Sequence, residues 1–311
     1  MKFDVIIGNP PYQMSDGGGT GSSAVPIYQF FIQQAKKLQP RYLSMIVPSR
    51  WFTGGRGLDE FRDEMLSDKR LRVLYDYLDG KDCFPGVEIK GGVSFFLWDR
   101  DNPGDCRVVS NIDKNIKNEM IRPLLEKNST VFIRLNSSIS IFRKIMKFNE
   151  SSFSDIVSAN DPFGFDVRVN NSYRRVKPSF ELKPFEKSIL FYYNGWRKEG
   201  IGYIDRDKII KNKELIDGYK ILIPKAWGTG NVLTDWLNPM KSEVASCCTE
   251  TYLIVGPFIS KNELENAYNY MQTKFFHILV SLVKITQNTM KKAYQFVPMQ
   301  DFSEPWTDEK L

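Results

Sequence analysis

Histidine is nearly absent from this chain of 311 residues, where His277 is the only one. It stands in an apolar run between Phe275, Phe276 and Ile278, Leu279, the setting of a core or helix-surface residue. Without a second histidine, neither a histidine-based triad nor a zinc site is expected. Cysteine is sparse as well. Cys83, Cys106, Cys247 and Cys248 show no C-x-x-C spacing, and the adjacent Cys247–Cys248 pair suits neither a disulfide nor a metal. A reducing, cytoplasmic setting is the simple reading. No signal peptide is visible, and no apolar run reaches the ~18 residues of a membrane-spanning helix, so a soluble chain is expected. Gly17, Gly18, Gly19 and Gly21 are not followed by Gly-Lys-Ser/Thr, which argues for a mobile loop at Met14–Ser23 rather than a phosphate cradle. No internal repeat is present.

What remains is the composition of a packed globular protein, with 42% apolar and 26% charged residues. The length accommodates two domains of ordinary size. The formal net charge of +6 permits a polyanionic partner without requiring one. It is unevenly spread. Between Tyr173 and Lys225, 13 Lys/Arg stand against 7 Asp/Glu, which accounts for the whole excess. That stretch is a candidate electrostatic footprint, although a solvated face with loop charges has the same composition.

Hydrophobic periodicity gives a strand at Phe3–Ile7 and an amphipathic helix over Ile27–Leu38, with Ile27, Phe30, Phe31, Ala35 and Leu38 on one face. A strand at Tyr42–Val47 stops at Pro48. A helix at Leu58–Leu66 and strands at Leu71–Tyr77 and Gly92–Trp98 follow. This is the pattern of the second half of a doubly wound sheet closing with a hairpin. Residues 115–146 look transitional and partly helical. From about Ser151 the texture changes to short strands, at Ser188–Tyr193, Lys220–Pro224 and Thr251–Val255, and then to a long helix over about Ser260–Val283.

The residues with a chemical message come early. Asn9-Pro10-Pro11-Tyr12 follows the first strand directly, and strand ends are where open α/β sheets bind ligands. The prolines stiffen the turn and remove two N–H donors. Asn9 brings one acceptor, the Pro10 carbonyl a second, and Tyr12 a flat face. These parts fit a planar amine such as adenine N6. Its lone pair is delocalised into the ring, and two acceptors taking its hydrogens favour the pyramidal, nucleophilic nitrogen. Stacking on Tyr12 would contribute roughly 1–3 kcal/mol once the base has left the duplex. The competing reading of the tetrapeptide is a plain rigid turn.

On these residues the chain resembles the gamma-class N6-adenine DNA methyltransferases of restriction–modification systems, of the restriction-modification methylase type. The resemblance also rests on "FDVIIGNPPYQ", "IYQFFIQQAKKLQP", "LSMIVPSRWFTGG", "FRDEML", "CFPGVEIKGGVSFFLWDR" and the closing "KITQNTMKKAYQFVPMQDFSEPWTDEKL". It is specific over about residues 1–100 and 250–311 and weaker between them. It implies that Asn9, Pro10, Pro11 and Tyr12 are catalytic, with Asn9 and the Pro10 carbonyl holding the target amine and Tyr12 stacking on the flipped adenine. Phe84 matches an aromatic touching the base from another side, and Pro48 and Trp51 could wall the pocket. The implied fold is α/β: a partial Rossmann-like methyltransferase sheet over residues 1–125, followed by a mixed α+β target-recognition domain over residues 126–311.

The family's S-adenosylmethionine site lies mainly in a Gly-rich strand–turn–helix ahead of the Asn-Pro-Pro-Tyr block. Here that block starts at residue 9. Gly200-Ile201-Gly202 and Gly228-Thr229-Gly230 are the nearest alternatives, and neither follows an apolar strand and opens a helix. The main cofactor motif is therefore expected to be missing. One edge of Phe3–Ile7 would then be unpaired and apolar, and a second polypeptide or an N-terminal segment would supply the cofactor site.

In the second half, aromatics interleave with basic and amide residues: Tyr192, Tyr193, Asn194 and Trp196, then Trp227 and Asn231. Arg174, Arg175, Arg197, Lys198, Lys225, Lys291 and Lys292 are the candidate contacts to double-stranded DNA, with Thr286 and Gln287 beside them. Two other functions share these features. One is a catalytically inactive DNA-binding specificity fragment. The other is a methyltransferase acting on protein glutamine or rRNA, against which the large second region argues.

Overall fold

The computed structural model describes residues 3–14, 25–55, 57–87, 89–112, 115–166, 177–228, 235–284 and 288–311. The chain divides into two compact units, Met1–Lys147 and Phe148–Leu311. The division falls after Lys147 rather than after residue 125. Residues 126–147 stay with the first unit because Arg122 and Asn136 tie them to its sheet, Arg122 Nε donating to Asn136 Oδ1 at 2.9 Å and Asn136 Nδ2 to the Val108 carbonyl at 2.9 Å.

The first unit contains β1 (Val5–Gly8), β2 (Gln13–Met14), β3 (Val25–Pro26), α1 (Tyr28–Lys37), β4 (Tyr42–Pro48), α2 (Asp59–Ser67), β5 (Leu71–Tyr77), β6 (Val93–Asp99), β7 (Cys106–Asn111), β8 (Lys117–Arg122) and α3 (Ile139–Ile145). Six strands form one mixed sheet in the order β1-β4-β6-β5-β7-β8, and β2 and β3 make a separate two-stranded ribbon. The hairpin foreseen at Leu71–Trp98 is there, and it folds inward, so that β6 lies antiparallel between β4 and β5. The transitional stretch is less helical than expected. It holds β8, which pairs antiparallel with β7, and only the short α3.

Alternation fixes the sheet. In β4, Leu43, Met45 and Val47 are buried, while Tyr42, Ser44, Ile46 and Pro48 are half-buried. The buried row joins Leu74, Phe96 and Trp98 in one cluster with Tyr28 and Ile32 of α1 and Phe61 and Met65 of α2. The Tyr28 and Phe61 rings lie 6.1 Å apart, so both helices sit on the same face of the sheet. Each large side chain buried here stabilises the fold by about 1.5–3 kcal/mol.

The inward stripe of α1 is Tyr28, Ile32 and Ala35, at i, i+4 and i+7. Phe30, Phe31 and Leu38, expected inside, are exposed. The helix is apolar on two sides, and a single sheet face can bury only one of them. Asp68, at the end of α2, ties the layers together by accepting from Lys36 Nζ at 2.8 Å, Arg70 Nε at 2.7 Å and Trp98 Nε1 at 2.9 Å.

The second unit contains β9 (Ser188–Tyr192), α4 (Trp196–Glu199), β10 (Gly202–Asp205), β11 (Tyr219–Pro224), β12 (Met240–Ser242), β13 (Ser246–Cys248), β14 (Tyr252–Phe258), α5 (Lys261–Met271) and α6 (Lys274–Ser281). They form two three-stranded sheets, β10-β9-β13 and β12-β11-β14. The single long helix expected over Ser260–Val283 is two helices. Thr273 starts the second, its hydroxyl accepting from the Phe276 N–H at 3.1 Å. His277 lies on α6, half-buried, and stacks on Trp236 with ring centroids 4.2 Å apart. Among the described residues, no helix is long and apolar enough to cross a membrane.

Candidate functional site

Strands β1 and β4 run parallel, with Gly8 level with Met45. β6 is antiparallel to both β4 and β5, so β5 shares the direction of β4. The C-terminal ends of β1, β4 and β5 therefore open on one edge of the sheet. That edge carries Asn9–Tyr12, then Pro48, then the loop between Tyr77 and Val93 that includes Phe84. These residues are far apart in the sequence; the parallel strands bring them together.

Asn9 is exposed, Pro10 buried, Pro11 exposed and Tyr12 half-buried. The Tyr12 carbonyl accepts from the Ile27 N–H at 3.2 Å, and just beyond it Gln13 pairs with Pro26 in the β2–β3 ribbon. The turn is thus held at both ends, by β4 through β1 and by the start of α1. The Tyr12 hydroxyl is buried without a hydrogen-bond partner. Burial first, and Cys83 second, hold that hydroxyl above the usual tyrosine range, so it stays protonated. Cys83 and Phe84 belong to the loop that opens on this same edge of the sheet. Phe84 is half-buried, and its N–H donates to the Gly80 carbonyl at 2.8 Å. Burial likewise pushes the Cys83 thiol up.

Pro48 is half-buried at this edge. Trp51 is not a pocket wall. It has no exposed surface, and its ring lies 4.5 Å from Phe52 and 5.9 Å from Phe61 by centroid. The short 3-10 turn Ser49–Phe52 carries it back into the core.

Below this edge lies a charge cluster that sequence reading did not anticipate. Asp76, fully buried on β5, accepts from Ser49 Oγ at 2.8 Å, Arg134 Nε at 2.6 Å and Arg134 Nη2 at 2.7 Å. Arg134 Nη1 donates to the Gly91 carbonyl at 2.8 Å, and the Ser49 N–H to the Gly92 carbonyl at 3.0 Å. The available signal was Asp76 itself, which shares the inward face of β5 with Leu74.

Gly200 and Gly202 do not fit a cofactor loop. Gly200 ends α4 and Gly202 starts β10, the reverse of a strand–turn–helix. Thr229 and Gly230 are not among the described residues, so Gly228-Thr229-Gly230 lies mostly outside them. No group of three or more His, Cys, Asp or Glu among the described residues is arranged to hold a metal ion. The open edge does appear. β1 is the outermost strand described, and Phe3, Val5 and Ile7 are exposed, Ile7 by 76%.

Of the basic candidates in the second unit, Arg197, Lys198, Lys291 and Lys292 are exposed. Lys225 is half-buried, and its ammonium donates to Asn160 Oδ1 at 2.7 Å. Arg174, Arg175, Asn231, Thr286 and Gln287 lie outside the described residues, as does most of Met14–Ser23. Three aromatics expected at a nucleic-acid surface are core instead. Tyr192 and Tyr193 are each 5% exposed and Trp227 8%. Tyr193 packs on Phe180 and Phe191, with ring centroids 4.4 and 6.1 Å apart, and Tyr192 meets Trp196 edge-on at 5.2 Å.

Residues 1–84 match the profile of the Eco57I restriction-modification methylase family. That match takes in the Asn9–Tyr12 turn, Pro48 and Phe84. Over 163 residues the chain is 37% identical to an uncharacterized adenine-specific methylase of Mycoplasma pneumoniae, an alignment covering 52% of this chain and 38% of that protein. Among solved structures, it resembles the Type IIL restriction-modification enzyme MmeI, solved in complex with DNA, with a TM-score of 0.50 and 8% identity over 94% of this chain and 45% of that one. The type IIG restriction endonuclease BpuSI aligns at a TM-score of 0.40 and 14% identity, over 96% of this chain and 47% of that one. The likeness to MmeI is one of fold. The chain spans less than half the length of each of these relatives, and it is similar to the adenine methylases of restriction–modification systems.

Proposed function

We propose that this chain grips the target base in a site-specific DNA methyltransferase, one that transfers a methyl group to adenine N6 within a restriction–modification system. The observation that carries this reading is the Asn9-Pro10-Pro11-Tyr12 turn at the shared end of β1 and β4. Asn9 is exposed there, Tyr12 is half-buried, and the loop that carries Phe84 opens on the same edge. Asn9 and the Pro10 carbonyl accept the two hydrogens of the amine, Tyr12 stacks on the extruded ring, and Phe84 meets it from another side. Holding both hydrogens localises the lone pair on nitrogen, which attacks directly, with no covalent enzyme intermediate.

S-adenosylmethionine is the methyl donor in this reading. Since Gly200–Gly202 does not fit its loop, the donor site comes from a second polypeptide or a further segment seated on the open, apolar edge of β1. The first unit is then part of a Rossmann-like methyltransferase sheet. The second is the target-recognition domain, with Arg197, Lys198, Lys291 and Lys292 on DNA phosphates. The arrangement of Gly200–Gly202 also suits a second reading, a specificity part that binds DNA and carries no chemistry.

Nucleoside mass spectrometry of DNA from a methylation-free bacterial host expressing the complete protein separates the two. The first reading predicts N6-methyl-2′-deoxyadenosine. DNA binding without any methylated adenine supports the second.

A further inference from the structure

We propose that Ser49, Asp76 and Arg134 form a buried clasp that holds the loop carrying Cys83 and Phe84 at the Asn9–Tyr12 edge of the sheet, making them positioning residues for the base-gripping loop. This rests on the reading of that edge as an adenine site. The loop leaves the sheet at Tyr77 and re-enters it at Val93, and its returning end is Gly91–Gly92. Both of those carbonyls are held from the neighbouring chain segments, Gly91 by the Arg134 guanidinium and Gly92 by the Ser49 N–H. Both holders also meet on the Asp76 carboxylate, so one buried charge fixes the loop end relative to the ends of β4 and β5 together. Gly92 has no slack of its own. Its φ is +86°, and a Cβ there would stand 2.1 Å from the Tyr77 carbonyl oxygen.

A buried ion pair is weak evidence for a stabilising role, because well-packed apolar residues of similar volume often do as well. Direction is what it adds here. The planar fork of Arg134 serves Asp76 with two nitrogens and Gly91 with the third. A lysine at this position keeps the charge near Asp76 but cannot hold both acceptors. Arg134→Lys thereby separates positioning from charge compensation.

Cys83 reports the loop directly, since it is half-buried while Cys106, Cys247 and Cys248 are buried. The test is the alkylation rate of Cys83 in the native full chain, alongside the quenching of a 2-aminopurine-containing single-stranded oligonucleotide. For Arg134→Lys the proposal expects a melting temperature within a few degrees of wild type, Cys83 alkylation about tenfold faster, and 2-aminopurine affinity about tenfold weaker. Arg107→Lys, in the exposed pair with Glu119 on the same sheet, is expected to change neither. Should Arg134→Lys fail to fold, Ser49→Ala removes one clasp bond and is expected to speed Cys83 alkylation about threefold. Folded variants whose Cys83 reacts at the wild-type rate would overturn the clasp. A faster Cys83 with unaltered 2-aminopurine quenching keeps the clasp and instead refutes the adenine-site reading.

Discussion

The two units place their chemically expressive residues by different means, and the contrast shows which sequence signals carry position. In the first unit, Asn9, Tyr12, Pro48 and Phe84 sit at the C-terminal ends of strands that share a direction, so backbone topology gathers them. In the second, Tyr192, Tyr193 and Trp227 looked like partners for nucleic acid because basic residues flank them. Each is nonetheless packed inside, while Arg197 and Lys198 next door are exposed. Proximity in sequence to a charge says little about which way a ring points. Placement at a strand end says more, except where the next turn folds back into the core, as it does at Trp51.

The sharpest way to break this contrast is to treat two tyrosines alike. Tyr192→Ala should destabilise the second unit by about 3 kcal/mol, through the lost packing of a buried aromatic, and chemical denaturation measures it. Tyr12→Ala, at a half-buried position in the first unit, should leave unfolding within about 1 kcal/mol of wild type. Comparable losses in both would erase the distinction between core and site.

A smaller effect, about 2 kcal/mol, is expected for Asp68→Asn in the first unit. Burial raises the Asp68 pKa, but hydrogen bonds from Arg70, Lys36 and Trp98 outweigh it and carry the group well below the ordinary range. A depressed folded pKa gives stability that is present in full above the unfolded value of about 4 and is lost as pH falls through the folded value. The gap between wild type and Asp68→Asn should therefore be constant from neutral pH down to about 5 and close below about 4. A gap independent of pH would show that Asp68 acts only through its shape.

The smallest effect belongs to the exposed cations. Arg197→Ala should leave folding within about 0.5 kcal/mol. It should weaken DNA binding evenly across sequences and lower the slope of log affinity against log salt by about 1. A sequence-selective loss would reassign Arg197 from phosphate to base contact.

Much of the first unit is legible because its signals are local. An apolar strand running into a proline turn states both the element and where it ends, and the alternation in β4 gives its buried face. The inward face of α1 is not legible, since Phe30, Phe31 and Leu38 make as good a stripe on paper as Tyr28, Ile32 and Ala35. Nor is the break at Thr273, where apolar residues on both sides conceal a hydroxyl cap. The Asp76–Arg134 pair joins residues 58 positions apart, and only the folded sheet reveals it. Trp51 follows the same rule. It adjoins a strand end, yet a 3-10 turn redirects it into the core.

The central claim is that Asn9 and Tyr12 hold an extruded adenine, and methyl transfer measured in the complete enzyme tests it most directly. With labelled S-adenosylmethionine and unmethylated DNA, Asn9→Ala and Tyr12→Ala should each lower transfer by about a hundredfold or more while DNA binding persists. Near wild-type transfer by both variants would contradict the account.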